Sequence, residues 1–383
     1  MKSHSMHFRT MFTFIYALLL AGVAHSQTFT TVYSFRGSGA NDAGAIASGV
    51  VIDPDGNLYG TGTIGGTDDC GAVYKIDAAG NESVLYSFTG CVYITDSPSG
   101  RLIRDQAGNL YGTAEGGGLR QWGAVFKVDQ GGTVSPIYNF RGKPDGNHPY
   151  AGLSRDAAGN LYGATLYGGA FGFGTVFVLD AAGNETVLHD FTGRADGANP
   201  WGNVIRDANR NLYGTTSQGG AGFGTVYKID SAGQFTTLYT FAGGTDGGRP
   251  LAGLVRDSAG NLYGTTSGVG ESPFHGTVFM LDPAGNETVL HNFGEGGGKN
   301  PVAGLARDSS GNLYGTAIRG GDFDLGTVFM LTAAGKFKVL HEFNGSDGKN
   351  PQGCITLDGY GNLYGTTYIG GPGGWGTVFK ISR

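Results

Sequence analysis

The sequence predicts an all-β protein: a seven-bladed β-propeller with four antiparallel strands per blade, in which an N-terminal strand completes the last blade. Three observations lead to this prediction. A tetrapeptide recurs at a nearly constant interval, two hairpin turns recur within each interval, and one repeat is split between the two ends of the chain. The 383 residues include 74 glycines and only 15% charged residues, as expected for short strands joined by many tight turns.

The tetrapeptide Asn-Leu-Tyr-Gly defines the repeat, with intervals of 50 to 52 residues between copies. A period of this length is typical of propellers and solenoids, in which each repeat is one unit of supersecondary structure. We therefore assign residues 27–383 to a single repeat domain. The seven copies begin at Asn57, Asn109, Asn160, Asn211, Asn261, Asn312 and Asn362.

The fifth repeat shows the predicted unit, whose strands we call a to d. Two turns of the form Asp-x-x-Gly-Asn, at 257–261 and 282–286, join a to b and c to d. Such a turn is a hairpin signal, because the Asp side chain accepts backbone N–H groups and the Gly takes the left-handed conformation. The predicted strands are a at 250–257, b at 261–266, c at 276–282 and d at 286–293.

The two ends of the chain together supply one repeat. The last repeat stops after its strand c, at 376–382, and an isolated strand d, at 28–35, precedes the first repeat. We predict that this N-terminal strand pairs with the last strand and closes the ring. Closure removes the sheet edges that an open array would expose.

Residues 1–26 have the features of a secretory signal peptide. Lys2 and Arg9 supply a positive start, residues 11–24 form an apolar core, and a small-x-small site precedes Gln27. The apolar core is shorter than the ~20 residues that a membrane span needs. We therefore expect an exported protein, extracellular or periplasmic, with no membrane span after cleavage.

Charge and motifs exclude several functions. The formal net charge is −6 and the chain has no basic cluster, so neither nucleic acid nor an anionic membrane is an expected partner. The sequence contains no H-E-x-x-H, G-x-S-x-G or P-loop motif. It therefore lacks the short signatures of zinc proteases, serine hydrolases and nucleoside triphosphatases.

Two segments carry a family resemblance: G-T-V-F-V-L-D-A-A-G-N-E-T-V-L-H at 174–189 and G-L-V-R-D-S-A-G-N-L-Y-G-T-T at 253–266. They resemble the GloVer (Gloeo/Verruco) tandem repeat of exported bacterial proteins, and the resemblance covers essentially all of 27–383. It implies location and architecture rather than chemistry, since no catalytic residues are assigned in that family. Such proteins typically end in a sorting anchor, whereas no hydrophobic tail precedes Arg383, which disfavours surface anchoring.

Polar residues that recur from repeat to repeat are expected to be structural. The turn aspartates cap their turns, because calcium binding would need six or more oxygen ligands. His189, His291 and His341 alternate with tyrosines at the same position of strand d, which predicts packing between blades. We expect a charge network between blades from the arginines that precede the turn Asp: Arg104, Arg155, Arg206, Arg256 and Arg307.

The loops between strands b and c hold the candidate ligand-binding residues. A bulky side chain recurs just before strand c, and two interpretations remain open. Flat rings suit the C–H faces of sugars, but the same rings can fill the gaps between neighbouring blades. The candidates are Trp122, Phe173, Phe223, Phe274 and Trp375, of which the two tryptophans offer the largest stacking faces.

The first functional hypothesis is a monomeric, non-enzymatic binding propeller without a cofactor, whose partner is a glycan or a cell-surface protein. A second is a lyase or lactone hydrolase that uses a divalent metal at the central channel. The turn at 53–59 is similar to the inner hairpin of lactonase-like and NHL-type propellers, some of which are metal-dependent enzymes. A third is a structural component of the cell envelope. The loop residues that break the repeat pattern are Asp68, Asp69, Glu115, Arg120, Glu271, Asp322 and Asp324.

The three cysteines give a testable prediction. Cys70 and Cys91 flank one hairpin of an exported protein, so we predict that they form a disulfide and that Cys354 stays a buried thiol. A bridge that closes such a loop stabilises by ~3 kcal/mol in the loop-entropy model. Thiol counting under denaturing, non-reducing conditions should find one free thiol per chain. Three free thiols would contradict the pairing.

Overall fold

The computed structural model of the chain describes residues 27–37, 42–89, 98–118, 121–268, 275–294 and 297–382. Seven four-stranded antiparallel sheets follow one another around a ring, and strand a lies innermost and strand d outermost in each. This architecture confirms the predicted seven-bladed β-propeller.

Strands b and c form the middle of every blade. Strand b comprises Leu58–Gly62, Leu110–Ala114, Leu161–Thr165, Leu212–Thr216, Leu262–Thr266, Leu313–Ala317 and Leu363–Thr367 in blades one to seven. Strand c comprises Ala72–Ile76, Ala124–Val128, Thr175–Leu179, Thr225–Ile229, Thr277–Leu281, Thr327–Leu331 and Thr377–Ser382.

Strands a and d form the inner and outer edges. Strand a comprises Val51–Ile52, Ile103–Arg104, Ser154–Arg155, Ile205–Arg206, Val255–Arg256, Ala306–Arg307 and Thr356–Leu357. Strand d comprises Glu82–Ser87, Val134–Asn139, Glu185–Asp190, Phe235–Thr240, Glu287–Asn292, Phe337–Glu342 and, for blade seven, Thr28–Ser34. The remaining elements in the described ranges are a two-stranded sheet of Ala43–Gly44 with Ile64–Gly65 and a 3-10 turn at Gly244–Asp246.

Strand a is shorter than predicted. In blade five it comprises only Val255–Arg256, so the predicted extent of 250–257 is wrong. The residues before it bind the preceding blade instead of their own sheet, because the hydroxyl of Thr215 donates to the carbonyl of Ala252 at 2.9 Å. The same bond joins Thr113 to Ala151, Thr265 to Ala303, Thr316 to Gly353 and Thr366 to Ser48.

Each residue of the recurring tetrapeptide has one structural task. The Asp53 carboxylate accepts the backbone N–H of Asn57 at 2.9 Å, the Asn57 amide at 2.8 Å and the hydroxyl of Tyr59 at 3.0 Å, which closes the turn. The leucine is buried in all seven blades. The glycine lies against the aromatic ring of strand c, so a Cβ on Gly163 would lie 2.6 Å from the Phe177 ring. Only glycine permits this close approach.

The hydrophobic core is divided among the seven junctions between blades. Each junction contains one cluster of buried side chains from two neighbouring blades. Val125 and Phe140 of blade two, for example, pack with Leu161 and Phe177 of blade three. Because no blade buries its faces alone, stability depends on every junction, including the two on either side of blade seven.

The N-terminal strand completes blade seven, as predicted. Thr28–Ser34 pairs antiparallel with Thr377–Ser382. The Phe29 ring stacks on His341 of blade six with 3.5 Å between ring centroids. Phe35 is buried at the junction with blade one. One strand therefore holds two junctions of the ring together.

Strand d of each blade is matched to strand d of the next. A histidine in one blade stacks on a phenylalanine in the next, and the pairs are His189–Phe235, His291–Phe337 and His341–Phe29. A tyrosine in one blade lies near a glutamate in the next, and the pairs are Tyr33–Glu82, Tyr138–Glu185 and Tyr239–Glu287. The seventh pair, Tyr86 and Val134, packs in one hydrophobic cluster.

The glutamates of these pairs keep their protons to a higher pH than a free glutamate does. Burial, together with the charge of a nearby aspartate, raises each pKa from the ordinary 4.5 to about 7. One carboxyl oxygen of each glutamate is buried without a hydrogen-bond partner among the described residues. The pairs of acids are Glu82 with Asp42, Glu185 with Asp145 and Glu287 with Asp246.

Deleting residues 27–35 should abolish the soluble monomer or sharply lower its melting temperature. The deletion exposes the edge of strand c in blade seven and removes buried Phe35, and truncating one such ring alone costs ~3–5 kcal/mol. The matched control is a permuted chain that begins at Asp42 and carries residues 27–41 after Arg383 through a short Gly-Asn turn. This chain should fold and melt near the wild type, as measured by calorimetry and size-exclusion chromatography. A deletion variant that melts like the wild type would contradict ring closure by this strand.

Replacing Glu82, Glu185 and Glu287 by Gln together should change the dependence of stability on pH. A folded-state pKa of about 7 means that the folded protein holds protons that the unfolded chain releases near pH 4.5. The glutamates' contribution is therefore fully present below pH 4.5 and is lost as the pH rises through about 7. In the triple variant this loss disappears, and its melting temperature relative to wild type should rise by a few degrees across that window.

The buried histidines change the pH dependence of stability in the opposite direction, so the wild type and the triple variant must be compared at each pH. Burial lowers the pKa of His189, His291 and His341, so their contribution to stability grows as the pH rises. The difference in melting temperature between wild type and the triple variant cancels this effect. A difference that stays constant from pH 4 to 8 would show that the glutamates titrate normally in the folded protein.

Candidate functional site

The b–c loops lie on the same face of the ring as the crossovers that lead from strand d to the next blade. The carbonyl of Trp122, in the loop of blade two, accepts the backbone N–H of the crossover residue His148 at 3.0 Å. His148 has a φ of +55°, a left-handed conformation that residues other than glycine rarely adopt. Equivalent bonds reach Phe173 from Asn199, Phe223 from Arg249 and Trp375 from Ala45.

A crossover glycine lies beneath each of these loop rings. A Cβ on Gly193 would lie 2.8 to 2.9 Å from three atoms of the Phe173 ring, so the ring covers the glycine directly. One side of each ring is thereby packed, and the other side is left for solvent, a neighbouring residue or a ligand. The remaining pairs are Phe223 with Gly243, Trp122 with Gly142 and Trp375 with Gly37.

Four exposed aromatic side chains gather on the loops of blades two and three. Trp122 is 37% exposed, Tyr167 45%, Phe171 58% and Phe173 42%. Among the described residues six large hydrophobic side chains are this exposed, and these are four of the six. We call these four residues the aromatic patch.

His148 joins the two halves of the aromatic patch. Its N–H donates to Trp122, and its carbonyl accepts the N–H of Leu166 in blade three at 3.0 Å. Its imidazole meets the Tyr167 ring edge-on, with 5.6 Å between centroids, and burial lowers its pKa. Asn147 and Tyr167 exchange two backbone hydrogen bonds of 2.8 and 3.2 Å. The loops of blades two and three therefore form one surface.

The other loop aromatics lie deeper. Phe223 and Trp375 are half-buried and pack against the hydrophobic clusters of their own junctions. Trp375 also contacts Gly44. Sequence reasoning thus nominated Trp122 and Phe173 of the aromatic patch but missed Tyr167 and Phe171. A usable signal was present, since the loop at 166–174 contains three aromatic residues, more than any other b–c loop.

The recurring arginines join neighbouring blades. The guanidinium of Arg155 in blade three lies 5.5 Å from the centroid of Tyr111 in blade two, whose hydroxyl donates to Asp105 at 3.0 Å. Burial alone would raise the pKa of Asp105, but hydrogen bonds from Asn109 and Tyr111 and the charge of Arg155 lower it. The same stacking occurs in Arg206–Tyr162, Arg256–Tyr213 and Arg307–Tyr263.

The cysteines and the residues that break the repeat pattern are only partly described. Cys70 is buried and disulfide-bonded, and Cys354 is a free thiol whose sulfur accepts the N–H of Gly304 at 3.2 Å. Asp68, Asp69, Asp322 and Asp324 are exposed in the loops of blades one and six. Four predicted residues lie outside the described ranges: Cys91, Arg120, Glu271 and Phe274.

Acidic loop residues do not assemble into a metal centre in the described part of the chain. No group of three or more His, Cys, Asp or Glu side chains there is placed to hold an ion. Glu115 is half-buried, and burial raises its pKa.

The ring of seven blades, closed by the N-terminal strand and with its loops gathered on one face, defines the class of protein as a seven-bladed β-propeller. Its sequence matches the Gloeobacter/Verrucomicrobia repeat over residues 97–310 and 270–383. The chain therefore belongs to this repeat family, as the sequence motifs predict. None of the curated proteins matches it in sequence.

Solved structures of similar fold include virginiamycin B lyase from Staphylococcus aureus, with a TM-score of 0.63 and 12% identity over 93% of this chain and 99% of the lyase. Two extracellular domains from B. thetaiotaomicron match with TM-scores of 0.60 and 0.58 at 12% and 14% identity, over 92% and 93% of this chain. The chain spans 40% and 41% of those two proteins. Identities this low show the fold alone. In the ranges that the structure describes, no helix is long and apolar enough to cross a membrane.

Proposed function

We propose that the protein is an exported, non-enzymatic binding propeller that holds a glycan chain on the aromatic patch. The observation that carries this proposal is the concentration of exposed rings, four of the six in the described residues, on two adjoining loops. Soluble domains rarely expose adjoining apolar side chains unless the surface binds something. The predicted signal peptide at residues 1–26 supports export.

The geometry of the rings favours a sugar ligand. Trp122 and Phe173 each rest on a glycine, which fixes the ring plane and leaves the ring partly exposed. The C–H face of a sugar packs on such a ring, and nearby polar groups bind the hydroxyls. Asn147 and His148 provide an amide and an imidazole between the loops of the aromatic patch.

The loop that supplies three of the four rings of the aromatic patch favours a neutral chain. The loop at 166–174, which supplies Tyr167, Phe171 and Phe173, contains no charged residue. A strongly acidic or basic ligand would therefore find no complementary charge on this loop, whereas the binding of a neutral oligosaccharide does not depend on such a charge. We accordingly assign the aromatic patch to uncharged glycans.

Alanine at Trp122, Phe171 or Phe173 should each weaken glycan binding by about tenfold or more, because aromatic anchors dominate such contacts and tenfold corresponds to about 1.4 kcal/mol. The measurement is binding of wild type and variants to an array of neutral oligosaccharides, followed by titration calorimetry with the best binder. Phe171, as the most exposed of the three, should lose affinity with little change in melting temperature.

Two variants control this experiment. Phe323→Ala removes a ring that is 60% exposed but lies on blade six, away from the aromatic patch, and it should bind as wild type does. Trp375→Ala removes a ring packed into a junction, so it should lower the melting temperature and leave binding unchanged. Patch variants that bind as tightly as Phe323→Ala would refute the proposed function.

A further inference from the structure

One position of the repeat differs in every blade. The residue that follows it is always small, and the third residue after it is always aliphatic. A side chain that served only to pack blades would recur with the repeat, as the residues around it do. Seven different side chains at one level of the ring indicate instead a surface shaped for a ligand. In blades one to seven they are Ala47, Ser99, Tyr150, Trp201, Leu251, Val302 and Gln352.

These side chains surround the mouth of the central channel on the loop face. Tyr150, Trp201, Leu251, Val302 and Gln352 line a cavity of about 200 Å³, which we call the channel cup. Tyr150 and Trp201 meet edge to face, with 4.6 Å between ring centroids. All five side chains are half-buried, so each presents part of its surface to the cavity.

The channel narrows among the inner segments that carry these residues. There the cavity is only about 80 Å³. Backbones of neighbouring segments approach closely: a Cβ on Gly152 would lie 2.7 Å from the carbonyl oxygen of Arg101, and one on Gly353 would lie 2.9 Å from that of Ser48. The space below the channel cup is therefore too small for a sugar ring.

Polar groups border the apolar walls. The hydroxyl of Tyr150 is one of them, and its burial, helped by the charge of Glu115 in blade two, raises its pKa to about 12. Gln352 adds an amide. Apolar and aromatic walls with a hydroxyl and an amide group match the composition of sites that bind small polar rings.

The channel cup adjoins the aromatic patch through residues 147–150. Asn147 is bonded to Tyr167 and His148 to Trp122, and Tyr150 lies in the channel cup only two residues further on. Two residues span at most about 7 Å of extended backbone. A single oligosaccharide can therefore lie on the aromatic patch and reach the channel cup with its end.

We propose that the channel cup holds the terminal ring of the glycan chain that lies on the aromatic patch. The inference rests on the proposed function and adds the orientation of the bound glycan chain to it. An internal ring is linked on both sides and would need two exits, whereas the space of about 80 Å³ below the channel cup is too small to serve as the second exit. The protein therefore recognises the ends of neutral glycan chains rather than their internal segments.

The test uses residues 27–383 and neutral oligosaccharides attached to a surface through their reducing ends. Each is presented in two forms, with a free terminal ring or with a 4,6-O-benzylidene acetal, which adds a phenyl group to that ring alone. Wild type should bind the free form at least about tenfold more tightly than the capped form. Phe171→Ala should weaken binding of both forms by the same factor, because this residue contacts the chain outside the channel cup.

Two substitutions in the channel cup are expected to leave the fold intact. Leu251→Trp and Trp201→Leu each introduce a residue that the same position carries in a neighbouring blade. Leu251→Trp fills the channel cup and should reduce the affinity for the free form to that for the capped form. Trp201→Leu enlarges the channel cup and should narrow the difference between the two forms, and Phe323→Ala should preserve it.

The outcomes separate the two proposals. Equal affinity for the free and the capped form would contradict the proposed role of the channel cup but not that of the aromatic patch. A Leu251→Trp variant that keeps the full preference for free ends would do the same. Absence of binding to every neutral oligosaccharide overturns both. A preference for free ends that Leu251→Trp abolishes supports both.

Discussion

Pairing of Thr28–Ser34 with Thr377–Ser382 is the contact on which the rest of the structure depends. It converts a row of blades into a ring and so gives every blade two neighbours. Hydrogen bonds from strand b to the next inner segment then join five of the seven pairs of neighbouring blades, including the bond from Thr366 to Ser48 across the joint. Without closure, Ala47 and Gln352 would separate, and the mouth of the channel would lose its wall. The loop face is a product of the ring and not of any single blade.

The fold was predictable because its determinants are local and repeated. Each repeat contains the turn aspartate, its asparagine and tyrosine partners and the glycine under the strand c ring. The same local pattern therefore predicts the same hairpin in all seven blades. The extent of strand a was mispredicted for the converse reason. The partner that draws Ala252 away from its own sheet is Thr215, which belongs to the preceding blade and is invisible to a pattern read along one strand.

The candidate site was predictable only where it coincides with the repeat. Trp122 and Trp375 occupy the same repeat position and each packs on a crossover glycine, yet Trp375 also contacts Gly44 and is the more buried of the two. Tyr150 packs edge to face on Trp201 of the next blade, a contact between repeats that no spacing within one repeat reveals. The informative residues are departures from the repeat. Trp201 could have been found by asking which position changes most while its surroundings stay constant.

The matching of neighbouring strands d has a consequence for how such a chain can change in length. Loss of blade four alone would bring His189 of blade three against Glu287 of blade five instead of against a phenylalanine. Loss of blades four and five together would bring His189 against Phe337, and loss of blades three and four would bring Tyr138 against Glu287, so both joints stay matched. Over this part of the ring, recombination in steps of two repeats preserves the contacts between blades, and a single-repeat step requires a compensating substitution. In this part of the ring, a pair of blades and not a single blade is therefore the smallest unit whose removal leaves the neighbouring strands matched.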